Sequence, residues 1–84
     1  MEVVFSERAR KEWNRLDRST QEQLRKKLTF YLQSEQPVEF AERLKDHGLG
    51  EYRFRIGDYR IIFDFKGDNL MVLRVGHRKD IYKR

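Results

Sequence analysis

Four arginines and a tyrosine in the C-terminal third have side chains suited to holding a phosphate and a base. Arg53, Arg55 and Arg60 lie close together in the sequence, and Arg78 and Tyr82 follow near its end. Arginine offers a planar set of donors that fits phosphate oxygens, and tyrosine can stack on a base. The combination suits a surface that binds a phosphate and a base, provided that the fold brings the five side chains together.

Other chemistries find little support in the sequence. Without cysteine the chain has no disulfide, thiolate nucleophile or zinc-thiolate site. The two histidines, His47 and His77, have no second ligand at metal-binding spacing. The glycine-rich phosphate loop, the dinucleotide fingerprint, the nucleophile elbow and the H-E-x-x-H motif are also missing. We therefore expect neither a metal nor a cofactor.

The basic charge is concentrated in the same third of the chain. The sequence has 84 residues, 19 Lys and Arg against 14 Asp and Glu, and a formal net charge of +5. Residues 1–50 contain ten basic and nine acidic residues, whereas residues 51–84 contain nine and five, a net of +4. This asymmetry predicts a polyanion-binding surface in the C-terminal part of a single domain, residues 1–84.

The apolar residues indicate a folded chain away from membranes. Eleven aromatic residues supply large apolar side chains, but apolar runs are too short to cross a bilayer. The N-terminal segment is strongly charged and lacks the features of a signal peptide. A cytoplasmic protein without a membrane partner is expected.

The first half of the sequence predicts a strand followed by two helices. Glu2–Phe5 is rich in β-branched and aromatic residues, and Ser6 suits the N-cap of a helix that runs to about Asp17. The box Ser19-Thr20-Gln21-Glu22 predicts the start of a second helix, which should end before Pro37. A short helical turn is expected within residues 38–44.

The second half alternates between apolar and polar residues, the pattern of β-strands. Strands are predicted around residues 52–56, 59–66 and 70–75, with turns at Gly57-Asp58 and Gly67-Asp68 and a basic tail from residue 77. The fold class is therefore α+β, of order β-α-α-β-β-β. A helical hairpin should pack on one face of a small antiparallel sheet.

The turn at Gly57-Asp58 fixes which side chains share a face of the first hairpin. A two-residue turn pairs Arg55 with Arg60 and Arg53 with Ile62, which places these arginines on one face. The other face, the bed for the helices, receives the alternate side chains: Tyr52, Phe54, Ile56, Tyr59, Ile61 and Phe63. Directly opposed arginines repel each other, and a bound polyanion would relieve that repulsion. The alternative is a solvated basic face without a ligand.

The same reasoning across Gly67-Asp68 predicts the partners of the third strand. It pairs Val75 with Arg60, Leu73 with Ile62 and Met71 with Asp64. The outer face is then basic at one end and apolar at the other (Ile62, Met71, Leu73 and Val75). Such a patch indicates a protein partner if it is exposed, or a site covered by residues 38–44 if it is not.

The tail is expected to join the basic end of the sheet. Arg78 and Tyr82, with His77 beside them, follow the strand that neighbours Arg60. They can fold over the same end and complete a surface that contacts both phosphate and base.

These residues resemble the RelE/ParE superfamily of toxins from prokaryotic toxin–antitoxin operons. The resemblance covers nearly the whole chain and is most specific in Gly57-Asp58-Tyr59-Arg60-Ile61-Ile62-Phe63 and in Val75-Gly76-His77-Arg78-Lys79-Asp80-Ile81-Tyr82. It implies the α+β fold predicted above, a cognate antitoxin protein as partner, and action on the ribosome and mRNA. The RelE branch cleaves mRNA in the ribosomal A site without a metal, through attack of a 2′-hydroxyl on the adjacent phosphate.

The resemblance also implies roles for individual residues. It gives catalytic roles to five of them (Arg53, Arg55, Arg60, Arg78 and Tyr82) and RNA contacts to His77, Lys79 and Lys83. Strongly cleaving RelE-type enzymes have lysines where Arg53 and Arg55 stand, and lysine loses a proton more readily than arginine. His77 is then either the acid–base group or a tail residue that only contacts RNA.

The superfamily leaves two further functions open. One is a ParE-like inhibitor of DNA gyrase, which acts by binding and has no nuclease site. The other is a catalytically weak RNA-binding homologue of the toxins. The Arg60, Arg78 and Tyr82 set favours the ribonuclease.

Overall fold

A computed structural model describes residues 1–45 and 48–82 of the chain. It has five strands, three α-helices and one short 3-10 helix over Pro37–Phe40. The strands are β1 (Glu2–Phe5), β2 (Glu42–Arg43), β3 (Tyr52–Ile56), β4 (Tyr59–Lys66) and β5 (Asn69–His77). The helices are α1 (Glu7–Asn14), α2 (Arg18–Leu32) and α3 (Arg78–Ile81).

The strands form one mixed sheet in the order β1-β5-β4-β3-β2. Neighbours are antiparallel except β1, which is parallel to β5. The α+β class and the β-α-α-β-β-β order are confirmed, with β2 and α3 as additions. Both additions lie near the predicted arginines, so they bear directly on the site.

The helix starts agree with the prediction at Ser6 and differ at α2. Ser6 caps α1, and its Oγ accepts from the backbone N–H of Ala9 at 3.0 Å. The prediction that α2 starts at the capping box of Ser19 is wrong, because α2 begins at Arg18 with Asp17 as its N-cap. The Asp17 carboxylate accepts from the Thr20 N–H at 2.7 Å, and hydrogen bonds from the Thr20 side chain and then from its backbone N–H lower the pKa of Asp17. The charged Asp17 side chain thus caps the helix two residues before the predicted cap, Ser19. The first helix, α1, ends at Asn14 and not near Asp17.

The main core lies between the two long helices and one face of the sheet. Ala9, Leu24 and Leu28 pack there against the predicted inward residues of β3 and β4, and the rings of Phe54 and Phe63 stack with centroids 4.4 Å apart. All six side chains predicted for this face belong to this cluster (Tyr52, Phe54, Ile56, Tyr59, Ile61 and Phe63). The arginines must therefore extend from the opposite face.

The register of the first hairpin is as predicted, and that of the second is not. Arg55 pairs with Arg60 and Arg53 with Ile62, across a turn in which Gly57 has a φ of +58°. Glycine adopts this left-handed conformation without the strain that a side chain would add.

A bulge changes the partners in the second hairpin. Met71 pairs with Asp64 as predicted, but a register shift at Ile62/Phe63 leaves Leu73 without a partner. Arg60 therefore pairs with Gly76, and Ile62 with Arg74, so the predicted pairs of Val75 and Leu73 are wrong. The extra residue in β5 turns Val75 towards the helices, where it is buried. Residue alternation alone cannot reveal such an insertion.

The predicted apolar patch on the outer face is covered rather than open. Ile62 is fully buried in a second cluster with Leu44 and Ile81, and Leu49 packs against it. Cover comes partly from the 38–44 segment, through Leu44, and partly from α3. The tail predicted as a basic extension thus forms one helical turn, α3, whose Ile81 covers Ile62 on the outer face of the sheet.

Among the residues that the structure describes, no helix could cross a membrane.

Candidate RNA-binding site

Arg53 and Tyr82 meet on the outer face of the sheet. Arg53 Nη1 donates to Tyr82 Oη at 2.7 Å, and the guanidinium carbon lies 5.8 Å from the centroid of the tyrosine ring. The two residues are 29 positions apart in sequence. The fold therefore brings together the predicted phosphate-binding and base-stacking groups.

A carboxylate that the sequence reasoning missed bridges Arg53 and Arg55. Glu42 on β2 accepts from Arg53 Nη2 at 2.9 Å and from Arg55 Nη1 at 3.1 Å, one with each oxygen. Hydrogen bonds from Arg53 and then Arg55 lower the pKa of Glu42, and the bond to Glu42 raises the pKa of Arg53. Arginine is always protonated in proteins, so Arg53 acts as a fixed charge that Glu42 holds in place. A strand of two residues gives no alternation from which this position of Glu42 could be read.

Arg60 does not extend into solvent with the other two arginines. Its side chain is buried, and its Nη1 donates to the carbonyl oxygens of Gly57 at 2.9 Å and Tyr59 at 2.8 Å. The predicted repulsion between Arg55 and Arg60 is thus reduced, because the Arg60 guanidinium bonds to the turn. Its charge lies beneath the surface, where it contributes to the local field rather than to direct contact.

The short helix α3 carries Arg78 and Tyr82 to this face. The Arg78 N–H donates to the Asp58 carbonyl at 2.7 Å, and Arg78 Nε lies 3.7 Å from Asp58 Oδ1. Ile81 is buried against the second cluster and anchors the other end of the helix. Tyr82, which caps α3, keeps 37% of its surface exposed. The ring is consequently open to a base.

A second unpredicted ion pair fixes α3 relative to α1. Arg74 Nη2 lies 2.9 Å from Glu12 Oε2, and Arg74 Nε donates to both Glu12 oxygens. Arg74 Nη1 also approaches the Ile81 carbonyl at 3.4 Å. The bulge in β5 sets Arg74 opposite Ile62, so its role could not be predicted without the true register.

The three residues expected to contact RNA have different positions. The His77 ring lies edge-on to Tyr59 with centroids 5.4 Å apart, and its Nδ1 accepts from the Lys79 N–H at 3.1 Å. Tyr59 belongs to the helix side of the sheet, and cross-strand partners share a face, so His77 is directed away from Arg53. Lys79 is exposed on α3, and Lys83 lies outside the described residues.

The site is therefore a partly buried Arg53 and an exposed Arg55 next to Tyr82, with Arg60 and Arg78 at the adjoining turn. Within residues 1–45 and 48–82 no group of three His, Cys, Asp or Glu could hold a metal ion. The arrangement can bind an anion and stack a ring.

Family comparison agrees with this fold. The model of the family described as "ParE toxin of type II toxin-antitoxin system, parDE" matches residues 3–82. The chain belongs to the RelE/ParE superfamily of type II toxins.

Individual relatives are of the RelE kind. The curated toxin RelE3 of Methanocaldococcus jannaschii is 52% identical over 31 residues, a match that covers 37% of this chain and 35% of that toxin. The toxin in the intact RelBE toxin–antitoxin complex of E. coli is 30% identical with a TM-score of 0.68, over 90% of this chain and 94% of that one. The RelBE2 complex of Mycobacterium tuberculosis shares the fold at 24% identity, with a TM-score of 0.72 over 92% and 96% of the two chains.

Proposed function

We propose that this toxin is a ribosome-dependent mRNA endonuclease that arrests translation. The observation that carries the proposal is the contact between Arg53 and Tyr82 at the edge of a cluster of arginines. Phosphate binding and base stacking are the two interactions by which a protein holds single-stranded RNA. The likeness to RelE toxins supports the same reading.

The chemistry that suits this surface is transesterification within the RNA. The 2′-oxygen forms a bond to the adjacent phosphorus, the bond to the 5′-oxygen breaks, and the products are a 2′,3′-cyclic phosphate and a 5′-hydroxyl. The 2′-hydroxyl gives up a proton, and the departing 5′-oxygen takes one up. Arg53 and Arg55, with Arg78 nearby, would stabilise the negative charge that grows on the phosphoryl oxygens, which is often the largest catalytic contribution.

Tyr82 would orient the nucleotide through its ring. Its hydroxyl is engaged with Arg53, so the face of the ring, rather than the hydroxyl, is the part offered to a base. Stacking on an aromatic side chain is worth about 1–3 kcal/mol per base. Arg53, whose pKa is raised by Glu42, is unsuited to take a proton, and His77 faces away. The proton acceptor is then expected from the ribosome, the RNA or solvent, which fits an enzyme that needs the ribosome.

A cognate antitoxin is the second proposed partner. The similar structures from E. coli, M. tuberculosis and M. jannaschii are toxin–antitoxin complexes. The apolar part of the outer face is closed by Leu44 and Ile81, so an antitoxin that used it would have to displace α3. Because α3 carries Tyr82, such displacement would also dismantle the proposed site.

The test is a map of mRNA 5′ ends in a translating extract with and without the purified toxin. Codon-phased cuts are expected with the natural protein. Arg55→Ala, Arg78→Ala and Tyr82→Ala should each reduce them by about tenfold or more, because each removes a charge or ring that holds the RNA. Arg8→Ala, an exposed arginine on α1, is the matched control and should leave cleavage unchanged.

A gyrase supercoiling assay with the same preparations separates the alternative. The family description names ParE, and the resemblance to ParE implies inhibition of DNA gyrase as the alternative function. Inhibited supercoiling without mRNA cuts would replace the endonuclease proposal. The absence of both effects, with RNA binding retained, would leave a catalytically weak RNA-binding homologue.

A further inference from the structure

The position of Glu42 suggests more than a structural ion pair. Glu42 pairs with Arg53 across β2 and β3, and Arg55 lies two residues further along the same face of β3. Each carboxylate oxygen therefore meets a different guanidinium, at 2.9 Å and 3.1 Å. Two anionic oxygens shared between two guanidiniums is also the arrangement that a phosphodiester group offers.

The contact is built so that it can open. The Glu42 side chain is 44% exposed and that of Arg55 is 55% exposed, so water can replace either partner. β2 has two residues and lies at the edge of the sheet, so few backbone hydrogen bonds hold it. Arg53 is held more firmly, because it also donates to Tyr82.

One donor of Arg53 is not satisfied in this arrangement. Arg53 Nε is buried and has no hydrogen-bond partner among the described residues. Buried donors are normally paired, so the guanidinium is not in its best hydrogen-bonding position while Glu42 holds it. A ligand that moved Arg53 outward would give this N–H a partner.

We propose that Glu42 is an internal competitor for the phosphate site: its carboxylate occupies Arg53 and Arg55 in the free protein and is displaced by a phosphate of bound RNA. The inference rests on the proposed function, since it assumes that RNA is the ligand of this surface. In the free protein the carboxylate offsets the repulsion between neighbouring guanidiniums. The same contact lowers the affinity for RNA, so that non-specific RNA is held weakly.

The experiment measures direct RNA binding apart from cleavage. The probe is a fluorescent single-stranded 2′-O-methyl oligoribonucleotide, which cannot undergo 2′-hydroxyl attack, titrated by anisotropy. Glu42→Gln keeps the shape of the side chain and removes its charge. It should tighten binding by roughly 3- to 10-fold, which is the change in affinity that corresponds to the loss of two partly exposed ion pairs.

The matched control is Glu39→Gln, an equal charge change at an exposed position of the 3-10 helix. It should alter the affinity by less than about twofold. The gain from Glu42→Gln should be smaller in an Arg55→Ala background, because Glu42 then competes only for Arg53. A general charge effect would give the same gain in both backgrounds.

The outcomes distinguish this inference from the proposed function. If Arg55→Ala weakens RNA binding but Glu42→Gln behaves like Glu39→Gln, the competitor role is overturned and the endonuclease proposal stands. If Glu42→Gln tightens binding but the natural protein makes no cuts in a translating extract, the competitor role stands and the endonuclease proposal fails. Weaker binding by Glu42→Gln, or an Arg55→Ala variant with unchanged affinity, would also overturn the inference.

Discussion

Replacement of Glu12 by alanine should destabilise the protein far more than a surface charge change. The Glu12 carboxylate accepts hydrogen bonds from Arg74 Nε, which lies 3.1 Å and 3.0 Å from its two oxygens. It also accepts one from the backbone N–H of Val75 at 3.1 Å. The side chains of Arg74 and Glu12 are only 12% and 20% exposed. In Glu12→Ala, therefore, a mostly buried guanidinium and a backbone donor both lose their acceptor.

The expected loss is about 3 kcal/mol in the free energy of unfolding. Breaking a buried ion pair costs roughly 3–5 kcal/mol, and the partial exposure places this pair below that range, at about 2 kcal/mol. The unpaired Val75 N–H adds about 1 kcal/mol. For a domain of this size the total corresponds to a fall of about 12–24 °C in Tm.

Urea unfolding followed by circular dichroism, supported by a thermal melt, measures the effect. Glu7→Ala is the matched control, because Glu7 lies on the same helix and pairs with Lys11, with both side chains at least 70% exposed. It should cost about 0.5 kcal/mol or less. A Glu12→Ala variant as stable as Glu7→Ala would refute the importance of this buried pair in joining α1 to β5.

Three further predictions concern the cap, the close packing and the pH dependence. Ser6→Ala should cost about 1–2 kcal/mol in urea unfolding, because the Ala9 N–H loses its cap and the Leu73 carbonyl its donor. Gly50→Ala should cost about 2–3 kcal/mol, since φ is +149° and the new Cβ would lie 2.7 Å from Ile62 Cγ2. Gly67→Ala, with no atom within 4 Å, should cost about 1 kcal/mol, and equal losses would contradict the packing argument. Arg53 and Arg55 lower the pKa of Glu42 from its ordinary value of 4.5. The ion pairs therefore stabilise the folded protein fully above pH 4.5, and this stabilisation is lost as the pH falls through the lowered pKa. The stability of the natural protein relative to Glu42→Gln should therefore decrease between pH 5 and pH 3, and a constant difference would argue against the coupling.

Much of the fold could be predicted because it depends on local patterns. The alternation from Tyr52 to Phe63, with a two-residue turn at Gly57, determines both the register and the inward face of the first hairpin. Ser6 lies directly before the apolar periodicity of α1, a position at which serine is favoured, so this cap could be predicted. These signals are contained in a few neighbouring residues, so no knowledge of tertiary contacts is needed.

The parts that could not be predicted depend on contacts between distant segments. The bulge beside Phe63 shifts Leu73 and Val75, and nothing in the alternation of β5 marks it. Glu42 reaches the site because β2 adds to the edge of the sheet, 11 residues before Arg53. Arg60 has the same residue type as Arg55 but donates to the carbonyls of Gly57 and Tyr59, a difference that the alternation of residues does not reveal.

The identity of the attacking group tests the central claim most directly. A reporter mRNA with a single 2′-deoxynucleotide on the 5′ side of a mapped cut is added to a translating extract with the purified toxin. Primer extension reads the 5′ ends of the downstream fragments, and mass spectrometry reads the 3′ ends of the upstream fragments. We predict that this one cut disappears, that neighbouring cuts persist, and that the remaining upstream fragments end in a 2′,3′-cyclic phosphate. Cleavage that continues at the 2′-deoxy position would contradict the proposed mechanism, and a Tyr82→Ala variant that cuts as well as the natural protein would contradict the proposed site.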